Sequence, residues 1–416
     1  MVITNKILSL QRLKKLKIMQ ALIESSQKKI AKTKMDFVRS CMDEFDWNTP
    51  LIGIRGARGV GKTTSLLQYI KRYLMHEIDV TLYVSLDNIW FSDNRLISLA
   101  DQFVKRGGKY LFLDEVHKYP DWSVELKNIY DDFPELKVVF TGSSLLEILN
   151  ARADLSRRAI MYEMQGLSFR EYLNFELGVD FRIFTLDDIL NNHYVIAQDI
   201  LQKIKPLLYF EKYLQKGYYP FFRENPKLYY TKIEEIINMI LDVELPLLRN
   251  VSPAYVYKIK QLLFVVCESA PFIPNISTLS ARIGINRETL LTYLFYIHEA
   301  QLIFEAYHCA KGVTQLQKPD KIFMENSNLM YALRGNTIDI GNVRETFFFN
   351  QLKRSHLVEL ATKADFRIDE KYTFEVGGKN KNGKQILDTK NAYLALDNIE
   401  YGFTNHIPLW LFGFLY

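Results

Sequence analysis

The stretch PLIGIRGARGVGKTTSLLQYI, residues 50–70, constrains this chain more than any other. A short apolar strand, Leu51 to Ile54, runs into Gly56-Ala57-Arg58-Gly59-Val60-Gly61-Lys62-Thr63-Thr64, and Leu66, Leu67 and Ile70 follow at helical spacing. This is G-x-x-x-x-G-K-[ST] in the strand–loop–helix setting that gives the motif its meaning. Glycines let successive backbone N–H groups turn inward around phosphate oxygens, and the helix N-terminus adds favourable partial charge. Lys62 is placed to reach β- and γ-phosphates, and the Thr63 hydroxyl to ligate Mg²⁺. The expected ligand is ATP with Mg²⁺, cradled by Gly56 through Thr64.

Two further runs support this reading. KYLFLDEVH, residues 109–117, is an unbroken apolar segment ending in Asp114-Glu115. Such a run reads as a fully buried parallel strand, and ligands of parallel sheets sit beyond the carboxyl ends of their strands. Asp114 is then a candidate Mg²⁺ residue and Glu115 a candidate base for the attacking water. LKVVFTGSS, residues 136–144, ends in Thr141, Ser143 and Ser144. A hydroxyl there serves either as a sensor of the γ-phosphate, with Thr141 and Ser143 as candidates, or as a helix N-cap. Arg157 and Arg158 precede one more short strand; Arg158 is the candidate to neutralise charge on the γ-phosphoryl, in its own site or a neighbour's. Strands near 51–55, 80–85, 110–114, 137–142 and 159–164 alternate with helices, the pattern of an α/β doubly wound parallel sheet.

Beyond residue 180 the signals are sparser. Residues 182–260 read as helical, with breaks at Pro206, Gly217, Pro220 and Pro253. ISTLSARIGINRETLLTYLFYIHEAQLIFEAY, residues 276–307, has helix-turn-helix spacing around Gly284, with a following strand that suits a wing. Its second helix offers Arg287 but also Glu288 and Glu299, with no basic stripe, so DNA reading and packing against a partner both stay open. In the last 76 residues, VRETFFFNQLKR reads as a helix carrying Glu345, ADFRIDEKYTFEV as two strands, and LWLFGFLY as a final strand. Asp365 and Glu375 stand where a metal-dependent nuclease needs two acids. A lysine sharing the face of Glu375 belongs two residues on, because side chains alternate along a strand. That position is Gly377; Lys379 lies four beyond. The spacing therefore favours a non-cutting scaffold, in which Lys379, Lys381 and Lys384 hold phosphate backbone at most.

Composition matters here for what it excludes. No apolar run approaches the roughly 18 residues of a spanning helix, and the first residues alternate apolar side chains with lysines instead of forming a signal-peptide block. Cys41, Cys267 and Cys309 are too few and scattered for a disulfide framework or zinc site, so a reducing, cytoplasmic setting is expected. The net charge of +5 is uneven: residues 1–40 hold ten Lys/Arg against Glu24 and Asp36, which leaves the other 376 residues at −3. A basic arm of this kind suits nucleic acid, an acidic partner or an anionic membrane, or is simply a solvated helix face.

The motifs GARGVGKTT, LFLDEVHKYPDW, VVFTGSS, the arginine before YEMQGLSFREYL, GYYPFF and the terminal FEVGGK with IPLWLFG resemble those of a family of prokaryotic AAA+-type ATPases. Members of that family combine a phosphate-loop domain with a winged-helix segment and a C-terminal restriction-endonuclease-like domain. The resemblance implies ATPase activity, with Lys62, Thr63, Asp114 and Glu115 at the nucleotide, Mg²⁺ and water. It also implies Thr141 or Ser143 as sensor and Arg158 as arginine finger, with His117 either a relay of nucleotide state or an ordinary surface side chain. The implied layout is a basic helical arm over 1–45, the ATPase domain over 46–180, a helical and winged-helix domain over 181–335, and a small α+β nuclease-like domain over 336–416. Expected partners are ATP, DNA or another protein through the winged helix and basic arm, and further copies of the chain if Arg158 acts in trans.

Overall fold

The computed structural model describes residues 19–142, 155–249, 251–269, 271–308, 318–335 and 337–416. Five apolar runs of the N-terminal half become five strands: β1 (Leu51–Arg55), β2 (Thr81–Ser85), β3 (Tyr110–Asp114), β4 (Lys137–Gly142) and β5 (Ile160–Glu163). All neighbours pair in parallel, in the order β2-β3-β4-β1-β5. A parallel sheet is covered on both faces, which is why its strands read as continuous rather than alternating hydrophobics. Leu51, Ile52, Leu82, Leu111, Leu113 and Phe140 are fully buried. Around the sheet lie α1 (residues 19–32), α2 (Lys62–Tyr73), α3 (Leu96–Val104) and α4 (Trp122–Asp132). The doubly wound expectation holds: this is the P-loop nucleoside-triphosphatase fold.

Contacts divide the chain into Met1–Met164 and Gln165–Tyr416. This division differs from the four-part layout read from the sequence, and the packing shows why. Met19 and Leu22 of α1 join the same apolar cluster as Leu51, Leu82 and Leu111, and the Ser26 hydroxyl accepts the Tyr83 N–H at 3.0 Å. From residue 19 onward the basic arm is thus part of the first unit; residues 1–18 lie outside the described residues.

The second unit begins with α5 (Phe169–Leu177), α6 (Leu186–Leu201), α7 (Pro206–Lys216), α8 (Tyr229–Met239), α9 (Leu245–Arg249) and α10 (Pro253–Ser269). Pro206 and Pro253 open helices rather than merely break them, since the first helical position needs no N–H donor. Next come α11 (Ile276–Ile283) and α12 (Arg287–Glu299), joined through Gly284 at φ 72°. Then β6 (Ile303–Ala306) pairs antiparallel with β7 (Lys321–Met324). Helices α13 (Ser327–Arg334) and α14 (Ile340–Leu352) lead to a five-stranded mixed sheet. Its strands are β8 (Val358–Leu360), β9 (Phe366–Ile368), β10 (Tyr372–Gly378), β11 (Ala392–Asp397) and β12 (His406–Pro408), laid side by side in sequence order. The pairs β8–β9 and β9–β10 are antiparallel; β10–β11 and β11–β12 are parallel.

The tail LWLFGFLY corrects a sequence expectation. It forms a 3₁₀ turn over Leu409–Phe414, not a strand. All six of those residues are buried, and a strand would direct alternate side chains to opposite faces. The turn instead sends them into an aromatic core in which Phe348 meets Phe374 at 5.1 Å and Phe412 at 4.8 Å between ring centres.

Candidate functional site

The strand order places β4 between β1 and β3, so the phosphate loop, the end of β4 and the end of β3 meet at the carboxyl end of the sheet. Within the loop, Gly59 and Gly61 have φ of 87° and 102°, backbone that only glycine adopts cheaply. A side chain at Gly56 is excluded, because its Cβ would stand 2.1 Å from the Met164 carbonyl oxygen. Lys62 opens α2 and is only 5% exposed; its ammonium donates to the carbonyls of Gly56 at 2.8 Å and Ala57 at 3.0 Å. Ala57, Arg58, Val60 and Thr64 lie on the same loop and first helical turn.

Asp114, the last residue of β3, is 2% exposed. Three hydroxyls hold its carboxylate. Thr63 donates to Oδ2 at 2.7 Å, and Tyr83 of β2 donates to the same oxygen at 2.8 Å. Thr141 donates to Oδ1, while its own oxygen accepts the Glu115 N–H at 3.2 Å. A buried carboxylate is costly unless hydrogen-bonded, and donors from β2, α2 and β4 meet that demand. The phenol of Tyr83 is pushed far up by burial and by Asp114, so it stays protonated and donates.

Glu115 takes a left-handed conformation, φ 54°. This turns the chain sharply and leaves its carboxylate 3.5 Å from Nε2 of His117. His117 is nearly buried, and its pKa is lowered to about 3 by burial first, then by Lys118, Lys62 and Arg58 against the pull of Asp87. The imidazole is therefore neutral at ordinary pH, and its approach to Glu115 is not an ion pair.

The structure brings together Gly56 to Thr64, Asp114, Glu115 and Thr141. Ser143 lies outside the described residues. Arg158 is placed elsewhere. It precedes β5, whose register against β1 pairs Ile52 with Ile160 and Arg55 with Glu163. Arg158 therefore lies at the amino end of the sheet, while the phosphate loop leaves the carboxyl end, roughly 20 Å away at strand rise. There its guanidinium grips Asp131 of α4 through two bonds of 2.9 Å. Tyr83 was missed from the sequence, although a hydroxyl inside the buried run TLYVS was a usable signal.

Residue types also show whether a metal fits beside the loop. A carboxylate and a hydroxyl, Asp114 and Thr63, are hard oxygen donors of the kind Mg²⁺ prefers. They fit that ion.

The C-terminal acids behave differently. Glu375 on β10 is 2% exposed, and Lys381, not the exposed Lys379, reaches it at 2.7 Å. The Lys381 methylenes cover Gly377 so closely that a Cβ there would meet them at 2.9 Å. Asp365 accepts the Val376 N–H at 2.7 Å. Glu345 pairs with Lys321 at 2.6 Å, and its pKa is raised by burial and by Asp365, against the opposing lysines Lys321 and Lys381. Among the described residues no group of three or more His, Cys, Asp or Glu side chains is arranged to hold a metal ion; ammonium groups balance these carboxylates instead. On α12, Arg287 and Glu288 are exposed side by side, with Leu290, Leu294 and Ile297 buried.

Comparison with known proteins bears on the first of these sites. Residues 48–173 match the family described as an AAA domain. The AAA segment includes all five strands of the parallel sheet and every residue gathered around Asp114. Its match supports ATPase-type activity. A protein of Methanocaldococcus jannaschii described as uncharacterized is 27% identical over 399 residues, 88% of this chain and 84% of the relative. Among solved structures, a Walker-type ATPase of Pyrococcus abyssi is similar with a TM-score of 0.41 and 14% identity, over 73% of this chain and 98% of that one. The ORC1 protein of Aeropyrum pernix, in complex with DNA, has a TM-score of 0.30 and 11% identity, over 75% and 92%. AMPPCP-bound DnaA from Aquifex aeolicus has 0.24 and 14%, over 60% and 82%. Among the described residues no helix is long and apolar enough to cross a membrane.

Proposed function

We propose that the first unit binds ATP with Mg²⁺ and hydrolyses it. The observation that carries this reading is the Asp114 carboxylate, buried beside a G-x-x-x-x-G-K-T loop and held by hydroxyls from three separate elements. Backbone N–H groups of Gly56 to Thr64 and the start of α2 hold the polyphosphate. Lys62 exchanges its loop carbonyls for phosphate oxygens. Thr63 and Asp114 would hold Mg²⁺, which when bound supplies positive charge that offsets charge on the transferred phosphoryl. Glu115 orients the attacking water and takes its proton as the water oxygen bonds to the γ-phosphorus and the bridging β–γ bond breaks. Thr141 gives its hydroxyl proton to the Asp114 carboxylate and accepts the Glu115 backbone N–H on its oxygen, and is the sensor in this scheme. Arg158 serves a second copy of the chain, because its own phosphate loop is out of reach. The cycle moves the winged-helix and C-terminal domains, and DNA or a protein bound through the winged helix and the basic N-terminal arm is the partner it serves.

Lys62→Ala is expected to abolish ATP binding in the purified chain. Glu115→Gln is expected to bind ATP normally and to lose turnover. Undiminished turnover in Glu115→Gln refutes the assignment of the base. Salt-dependent duplex binding that disappears when Lys6, Arg12, Lys14, Lys15 and Lys17 are replaced by Ala in the full chain tests the DNA partner.

A further inference from the structure

The chain ahead of β1 wraps the helix that carries the phosphate loop. Lys71 of α2 donates its ammonium to the carbonyls of Ala31 and Thr33, both at 2.8 Å. Gln68, three residues earlier on the same helix, donates to the carbonyls of Lys34 at 2.9 Å and Phe37 at 2.7 Å. Positions three apart share a helix face, so the two side chains clasp residues 31–37 as a strap along α2. The strap then delivers Arg39, which is 4% exposed and donates from its guanidinium to the carbonyl of Val60 at 2.9 Å. Val60 lies in the loop itself, two residues before Lys62.

We infer that Arg39 is a positioning residue of the nucleotide site, fixing the peptide between Val60 and Gly61 so that the loop is set for phosphate. The inference rests on the nucleotide reading above. A trans peptide sends its C=O and the following N–H to opposite sides. Drawing the Val60 oxygen toward Arg39 therefore turns the Gly61 N–H away from the strap. The hold matters because Gly59 and Gly61 are the most mobile backbone a loop can contain, and ordering them on binding costs conformational entropy. A buried, permanently charged guanidinium is suited to that task, since it cannot lose its proton in a protein. Arg39 also lies outside the segment matched by the AAA domain, so the site is completed by sequence that precedes that segment.

The test uses the full chain and the variants Arg39→Met, Arg39→Lys, Gln68→Leu and Lys62→Ala. ATP and ADP affinities are measured by calorimetry, and backbone amide exchange is followed in nucleotide-free protein on peptides covering residues 56–63. Arg39→Met is expected to raise both dissociation constants about tenfold, the scale of one charge-assisted hydrogen bond, and to speed exchange of the loop. Arg39→Lys recovers part of the affinity because it keeps the charge but loses the planar fork. Gln68→Leu loosens the strap without removing the Arg39 donor and is expected to change affinity less than twofold. Unchanged affinity in folded Arg39→Met overturns the inference. So does a loss in Gln68→Leu as large as that in Arg39→Met, which assigns the effect to the strap. If Arg39→Met fails to fold, wild-type affinity and exchange in Arg39→Lys overturn it equally. A wild-type chain that binds nucleotide no better than Lys62→Ala defeats the nucleotide reading and this inference with it. A folded Arg39→Met with normal loop exchange defeats this inference alone.

Discussion

Replacing Tyr83 by Phe removes one oxygen and tests the arrangement around Asp114 directly. The lost bond runs from a buried hydroxyl to an ionised oxygen at 2.8 Å. Bonds of that class contribute about 1.5–3 kcal/mol. Thr63 donates to the same oxygen at 2.7 Å and remains in place, so Oδ2 is not orphaned and the low end applies. Tyr83→Phe is expected to cost about 1–2 kcal/mol in unfolding free energy, a fall of about 3–6 °C in melting temperature for a unit of this size. The functional effect should appear in the metal rather than the nucleotide. In the proposed site Thr63 would offer its oxygen to Mg²⁺ while its proton stays on Oδ2, and Tyr83 would be the second donor that aims the carboxylate. The Mg²⁺ concentration giving half-maximal ATP turnover is expected to rise about three- to tenfold, with turnover at saturating Mg²⁺ nearly unchanged. Denaturant titration and a Mg²⁺ series at fixed ATP measure both. A Tyr83→Phe protein as stable as wild type, with the same Mg²⁺ dependence, would falsify the role given to this hydroxyl.

Three further predictions concern the histidine, the C-terminal lysine and the distant arginine. The fold holds His117 at about 3 against roughly 6.5 in an unfolded chain, so it favours the neutral ring. That contribution is complete above pH 6.5 and is lost as pH falls toward 3, at up to about 1.4 kcal/mol per pH unit. His117→Asn should flatten this part of the acid-denaturation profile. Lys381→Met leaves the buried Glu375 without its cation; because Lys381 is itself 39% exposed, the expected loss is about 1–3 kcal/mol by denaturant titration. Lys381→Arg is expected to retain most of the stability. Arg158→Ala should leave ATP affinity unchanged and lower turnover only where copies associate, which a dilution series of turnover per chain reads out. A loss that persists at every dilution argues for action within one chain.

Much of the first unit was legible because its information is local. A phosphate loop needs its glycines, lysine and threonine in consecutive positions, and a buried parallel strand needs an unbroken apolar run. LIGIR, YLFLD and KVVFTG therefore declare themselves one at a time. The same locality explains what failed. LWLFGFLY is apolar enough for a strand, and only the surrounding rings of Phe348, Phe374 and Phe169 make a compact turn the better burial. The Gly377 position suggested that Glu375 lacks a lysine partner. The turn that follows β10 folds Lys381 back across the glycine and supplies one.

By itself the sequence determined the ligand class of the phosphate loop, the acidic pair at the end of β3, and the alternation of strands and helices, since each depends on neighbours in the chain. Only the tertiary structure decided who stands beside Asp114, because strand order sets that and short-range pattern does not encode it. Putting β4 between β1 and β3, and β2 beyond β3, brings Thr141 and Tyr83 to one carboxylate across 58 residues of chain. The same long-range packing sets Arg39 on the phosphate loop and keeps Arg158 at the opposite, amino end of the sheet. Hydrogen bonds and charges act over a few ångströms in space, and the fold decides which distant residues fall within that reach.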